Sequence, residues 1–346
     1  MKNYVLITLL IITLIPLSTG CRKNSFKVNV SDIDATVEIK RLERDLFEIN
    51  PGNLADSVEY LKLKYGSFMK YFGYVISLGE ISDTLWNENL LNFCTDKLNN
   101  EVYNSTISVF PDVIDLEEGL SDAFKHYRYY FPQSRIPEVY TFISGFNRSI
   151  ITGDTTLGIG LGIGLDRYLG SSSKYYQQLM LFRYQTAKMN PENIIPDCIY
   201  GYSVALWDYE SMGYEQDNIL SAMIHEGKLL YFTKCMLPDV SDELIFGFSK
   251  SQLKFCNENE GRMWQYLIEN NLIFKTDQLT RKKLTGEAAF TSYFSTDSPG
   301  RAAVWPGYRI VESYMAKNRN ISLRDLMKET DIQSILEKAR YRPPAG

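Results

Sequence analysis

The sequence predicts an α+β protein, predominantly helical, with a small sheet near the middle of the chain. Three observations predict it. Apolar residues recur at helical spacing through the first half, to about residue 135. β-branched and aromatic residues then cluster at 139–143, and glycine alternates with leucine or isoleucine over 156–165. Helical spacing returns near residue 217 and holds to the end.

The first helix is expected over 54–72, with Leu54, Val58, Leu61, Tyr65, Phe68 and Phe72 on one side. A second, capped by Ser82 or Asp83, runs through Leu85, Leu90 and Leu91 to Leu98. A third runs from near Asp115 through Leu120, Phe124 and Tyr127 to Phe131, where Pro132 follows. The run 139–143 reads as a strand. In 156–165 one strand face lacks side chains, which fits a close neighbour or a bound ligand. A phosphate-binding loop would need a lysine opening a helix, and none follows. Asp217 or Asn218 caps a long helix over 219–237, ended by Pro238. Asn257 or Asn259 begins the next, with Met263, Trp264, Leu267 and Ile268 on its apolar side. Ser298-Pro299 is expected to open another helix, with Trp305-Pro306-Gly307 breaking it before 310–315. Ser322 caps a last helix from Leu323.

The N-terminus reads as an address. Lys2 precedes an apolar run over 5–17, too short for the roughly 20 residues of a membrane span. Ser18-Thr19-Gly20-Cys21 then resembles a bacterial lipobox, which implies cleavage before Cys21 and lipidation of its sulfur. The alternative is an unlipidated signal peptide. The expected organisation is a signal peptide over 1–20, a lipidated tether over 21–26 and one α+β domain over 27–346. Two or more acyl chains on Cys21 would hold the protein stably to a membrane. The tether Arg22-Lys23-Asn24-Ser25 lacks an acidic run, so the expected position faces the periplasm, at the outer membrane.

Composition narrows the chemistry. Lys and Arg number 37 against 42 Asp and Glu, which argues against nucleic acid as a partner. There are only two histidines, His126 and His225, so a three-histidine zinc centre is excluded. Beyond Cys21 the cysteines are Cys94, Cys198, Cys235 and Cys256, with no CxxC spacing. They are either disulfide-paired or free buried thiols, and spacing does not choose.

The helix over 219–237 carries His225-Glu226 inside an apolar run. The HExxH motif binds zinc through two histidines on one helix face, with the glutamate activating the metal-bound water. Here Leu229 stands where the second histidine would be, and the cation Lys228 is adjacent. Glu260, expected in the first turn of a following helix, is a further candidate ligand. Residues 292–306 are polar and marked by Gly and Pro, as a lid or partner-binding loop would be, and Arg301 there is placed to meet an anion. Serine triads are discounted, because no GxSxG elbow occurs.

Taken together, lipobox Cys21, FKHYRYYFP (124–132), PEVYTFISGF (137–146), IGLDRYLG (163–170), MIHEGKLLYF (223–232), ENEGRMWQYLIENNLIF (258–274) and SPGRAAVWPGYRIVESYM (298–315) resemble the gliding motility lipoprotein B (GldB) family. That family resembles zincin-type metallopeptidases of the HExxH class, and its members often lack the second histidine. The resemblance implies a zincin-like scaffold, peptidase-like from about residue 136. It implies a role in gliding or an associated secretion machine, with an envelope protein as partner. Zincins bind extended peptide along an edge strand. The implied cleft therefore lies between the strand at 157–165 and the helix at 219–237, with Gly162, Gly164, Asp166 and Arg301 as candidate partner-binding residues. With Leu229 in place, the leading expectation is a non-catalytic binder with no cofactor. The alternative is a zinc peptidase with an atypical ligand set of His225, a glutamate such as Glu260 and one more group, with Glu226 as base.

Overall fold

The computed structural model describes residues 26–155 and 158–344. The expected signal peptide and Cys21 lie outside the described residues, as do Thr156 and Leu157 of the glycine-alternating run.

Strand β1 (Ile39–Arg41) leads into six helices: α1 (Leu42–Phe47), α2 (Leu54–Tyr65), α3 (Phe68–Val75), α4 (Trp86–Thr95), α5 (Lys97–Val109) and α6 (Ile114–Tyr130). Strands β2 (Val139–Phe142), β3 (Ile150–Thr155) and β4 (Gly158–Gly164) follow. Then come α7 (Lys174–Gln178), α8 (Arg183–Thr186), α9 (Ile194–Leu206), α10 (Ile219–Met236), α11 (Asp242–Phe246) and α12 (Lys250–Glu269). The chain closes with α13 (Gln278–Thr285), α14 (Val304–Lys317), α15 (Leu323–Lys328) and α16 (Ile332–Ala339). The protein is thus predominantly helical around one four-stranded sheet of order β1-β2-β4-β3. β1, β2 and β4 run parallel, and β3 is antiparallel to β4.

The sheet divides two cores. Val139, Leu161 and Ile163 face a large core shared with α6, α9 and α10. Tyr140 and Phe142 face a smaller one built by α1 to α4. The glycine alternation follows from this second face. The Phe68 ring stacks on Tyr140 with centroids 4.1 Å apart, and a Cβ on Gly162 would come within 2.7 Å of that Phe68 ring. The close neighbour is therefore the protein's own α3.

Helix α10 is the centre of the large core. Asn218 caps it, accepting from Ser221 N–H at 2.9 Å. Only Glu226, Tyr231 and Lys234 escape full burial along it. It crosses α14 at a glycine pair: a Cβ on Gly227 would lie 2.5 Å from the Gly307 carbonyl, and one on Gly307 would strike the Met223 carbonyl.

Several boundaries differ from expectation. The helix expected over 54–72 is broken at Gly66, which takes φ +53° and ends α2. The second expected helix stops at Thr95, and Asp96 caps the separate α5 by accepting from Asn99 N–H. α12 is capped by Ser249, which forms a capping box with Gln252, so Glu260 sits mid-helix and not in a first turn. Ser298-Pro299 opens no helix. α14 starts at Val304 and runs through Trp305-Pro306-Gly307, because a proline in a first turn lacks only an N–H that the helix leaves unbonded anyway. All four described cysteines are free and buried. No described helix is long and apolar enough to cross a membrane.

Candidate functional site

His225 and Glu226 leave α10 about 100° apart, as consecutive helical residues must, and enter different surroundings. His225 is buried, with Nδ1 2.8 Å from the Tyr214 hydroxyl and its ring edge-on to Tyr209. Burial, and then the Lys228 charge, bring its pKa from 6.5 down to about 4. Lys228 is itself buried, donating to the Glu329 carbonyl at 2.8 Å, and burial lowers its pKa to about 7. His126 lies on α6, with Nδ1 3.0 Å from the Asp122 carbonyl.

Glu226 accepts from the Tyr200 hydroxyl at 2.7 Å and from Arg301 Nη2 at 2.7 Å. Arg301 also reaches Glu287 at 3.4 Å, and Glu287 is gripped by Lys188 at 2.8 Å. Burial pushes the Glu287 carboxyl up, but Lys188 and Arg301 outweigh it and hold it below the usual range. Arg301 owes its position to a pinned loop. Thr291 Oγ1 donates to the Pro299 carbonyl and accepts from Ala302 N–H, each at 2.8 Å, and Ser298 Oγ accepts from Thr291 N–H. Closing this loop puts Arg301 at φ +54°, in the left-handed region. That costs a non-glycine residue of order 1 kcal/mol.

Tyr200, Arg301, Glu287 and Lys188 line a cleft. One chamber of about 340 Å³ is walled by Tyr168, Asp197, Tyr200, Lys188, Glu287 and Arg301 among others. A second of about 390 Å³ shares Tyr184, Lys188, Leu244, Gly247 and Glu287 with it. Asp197 accepts from the Tyr168 hydroxyl at 2.8 Å, and burial raises its pKa to about 6. The cleft thus offers fixed charges of both signs, an acid that titrates near neutrality and tyrosine rings. The sequence reading found Arg301 and Glu226 but missed Asp197, Tyr200, Lys188 and Glu287. Only Asp197, an acid in the apolar run Ile194-Ile195-Pro196-Asp197-Cys198-Ile199, left a visible signal.

The other sequence candidates fall elsewhere. Gly162 lies against Phe68 and Ile151, and Gly164 against the Arg148 carbonyl. Asp166 is fully buried, accepting from Ser144 and from Phe146 N–H. The implied cleft between β4 and α10 is not formed: β4 lies between β2 and β3, so it has no free edge, and α9 packs on β4 and on α10. Glu260 accepts from Trp305 Nε1, Arg309 Nε and the Tyr341 hydroxyl at 2.9–3.1 Å.

A zinc site does not fit this arrangement. His225, Glu226 and Glu260 sit in three hydrogen-bond networks with no shared partner, and each has its own cation: Lys228, Arg301 and Arg309. Among the described residues, no three or more His, Cys, Asp and Glu side chains gather as a metal-binding group.

The family model for the gliding motility protein GldB matches residues 23–343, nearly the whole described chain. The chain belongs to the GldB family. No curated protein and no solved structure matches it. The match spans both the sheet and the cleft, so Arg301, Glu226 and the pinned loop all lie within the GldB-family region.

Proposed function

We propose that this GldB-family chain is a lipid-anchored envelope protein of the gliding-motility or associated secretion type. It is held at Cys21 facing the periplasm, at the outer membrane, and binds a protein or peptide partner without cleaving it. The family description supports the motility part. The lipobox supports the anchor. The observation that carries the binding part is the fate of Glu226. The residue that would serve a peptidase as base is tied up by Arg301 and Tyr200, which line a charged, aromatic cleft. In this reading the cleft is a docking surface for a segment carrying both charge signs and an aromatic or apolar side chain.

Metal content and crosslinking test it together. Wild type, His225→Ala and Glu226→Gln are purified without chelator, dialysed against trace zinc and assayed. The expected result is no stoichiometric zinc in any of them. One zinc per chain, lost in His225→Ala, overturns the proposal in favour of an atypical zinc peptidase. In cells, a photo-crosslinker at Tyr184 is expected to capture one envelope protein, and Lys188→Glu to abolish the capture. Capture that survives Lys188→Glu removes the cleft from the docking surface.

A further inference from the structure

The end of the molecule where the chain emerges from its N-terminus is basic. Phe26 packs edge-on against Tyr231 with ring centroids 5.2 Å apart. It lines an open cavity of about 880 Å³ together with Lys317, Arg340 and Arg342. Two helix ends build this face. The C-termini of α14 and α16 meet there: Lys317 donates to the Ala339 and Arg340 carbonyls at 2.6 and 3.0 Å, and Asn318 reaches the Lys338 carbonyl. Lys317, Arg340 and Arg342 line the cavity, and the exposed Arg319 and Lys338 neighbour them in sequence at the same two helix ends. Among the described residues none of the five has a carboxylate within salt-bridge distance, whereas the cavity's other basic residues, Lys234 and Arg309, are paired to Asp242, Glu260 and Glu312. The C-terminal segment is also fixed in place. Tyr341, between Arg340 and Arg342, donates to Glu260 and packs on Trp264.

Cys21 is five residues before Phe26, a reach of about 18 Å at most for an extended chain. An acyl anchor at Cys21 therefore keeps the Phe26 end of the fold within about 18 Å of the bilayer. The intervening segment adds Arg22 and Lys23. We propose that the surface formed by Lys317, Arg319, Lys338, Arg340 and Arg342 binds the phosphate headgroups of an anionic membrane and so fixes how the anchored protein stands. The inference rests on the Cys21 anchor proposed above. Its occupant is a phospholipid surface, because the attached acyl chains deliver one there and the charge is complementary. One consequence concerns the cleft. α14, about 21 Å long, has its basic C-terminal end at this face, and Arg301 of the cleft precedes its N-terminal end, so the cleft and the proposed membrane contact sit at opposite ends of one helix.

The test uses the chain from residue 22 onward, which contains the whole described fold and carries no lipid. It is sedimented with vesicles of phosphatidylcholine alone or with phosphatidylglycerol at a 7:3 ratio, in low and high salt. Expected is binding to the anionic vesicles alone, lost in high salt. Arg340→Gln with Arg342→Gln should weaken it by roughly fivefold per charge removed. Lys282→Gln with Lys283→Gln, on α13 near the start of α14, removes the same charge elsewhere and should leave it unchanged. Thermal melting confirms that both variants fold. No binding to anionic vesicles, equal binding to neutral ones, or equal loss in the two variants overturns the proposal. The anchor is read separately, from the mass of the N-terminal peptide of the full chain made in a bacterium. A peptide without acyl chains refutes the anchor, while the vesicle result still decides the surface.

Discussion

Glu226 and Arg301 form the ion pair on which the cleft depends, and the two are not equivalent. Arg301 is 11% exposed and Glu226 24%, so their attraction is only partly screened by water. Arg301→Ala leaves Glu226 without its cation and Glu287 with Lys188 alone. Removing one partner of a buried pair costs about 3–5 kcal/mol; with Glu226 a quarter exposed and Glu287 still held by Lys188, the low end, about 3 kcal/mol, is expected. Glu226→Gln keeps an oxygen to accept from Tyr200 and leaves Arg301 its bond to Glu287, so it should cost about half as much. Urea unfolding of the two variants checks the order, and an equal or reversed order contradicts the network described here. The sequence showed that Arg301 was placed to meet an anion, but not that the anion was Glu226. Seventy-five residues separate them, and only the pinned loop around Thr291 brings them together. Glu260 was equally visible and was read as a metal candidate, yet it clamps the C-terminal segment through Tyr341. A lone carboxylate in a helix looks the same in sequence whether its partner is a metal, an arginine or a tyrosine.

At the scale of elements, the legible parts were those where one physical cause acts locally. The caps of α10 and α15 were read from Asn218 and Ser322, because a side-chain acceptor before an apolar run is a local signal. The glycine-alternating strand was legible for the same reason. β1, three residues long, and α5, a polar helix, were not. Their existence depends on pairing with Val139 to Thr141 and on covering Phe47, both distant in sequence. The Trp305-Pro306-Gly307 run was misread as a break because its glycine serves a tertiary purpose. Gly307 lets α14 approach the backbone of α10, so its Cβ is excluded by a carbonyl and not by a movable side chain. Gly307→Ala must therefore push the two central helices apart. Overpacking typically costs 1–3 kcal/mol, and with backbone as the obstacle about 3 kcal/mol or more is expected. Gly162→Ala meets only the Phe68 ring and Ile151 side chain, which can shift, and should cost less. Melting temperatures of the two variants test this; a milder effect at Gly307 would mean that the helices have slack at their crossing.

Across the whole molecule, burial of titratable groups sets how stability follows pH. His225, with its pKa depressed from 6.5 to about 4, binds a proton more readily when unfolded, so its contribution rises with pH between those values and is lost toward acid. Asp197, raised from 3.8 to about 6, has the opposite sign: its contribution is lost as pH rises through 6. Over pH 4–6 the two nearly cancel. Asp197→Asn removes one side of that balance, so the variant should lose stability toward acid faster than wild type, by about 1.4 kcal/mol per pH unit. Above pH 7 the balance passes to Lys228. Its pKa falls from 10.5 to about 7 on burial, so the unfolded chain holds the extra proton and stability rises with pH. The rise is cut short by the cysteines. Burial raises all four thiols above their ordinary 9.0, Cys94 and Cys256 to about 12. Above pH 9 the unfolded chain therefore releases thiol protons that the folded one keeps, as many as four, against the single Lys228 proton that it still holds, and stability falls. Wild type should then be most stable near pH 8 to 9, and Lys228→Met should lose the gain between pH 7 and 9 while keeping the alkaline fall. Melting scans from pH 4 to 10 on wild type and both variants read this directly. If Lys228→Met kept the wild-type rise, the lysine would have to be charged inside the core at neutral pH, its ammonium held by the Glu329 carbonyl and Tyr214 strongly enough to outweigh burial.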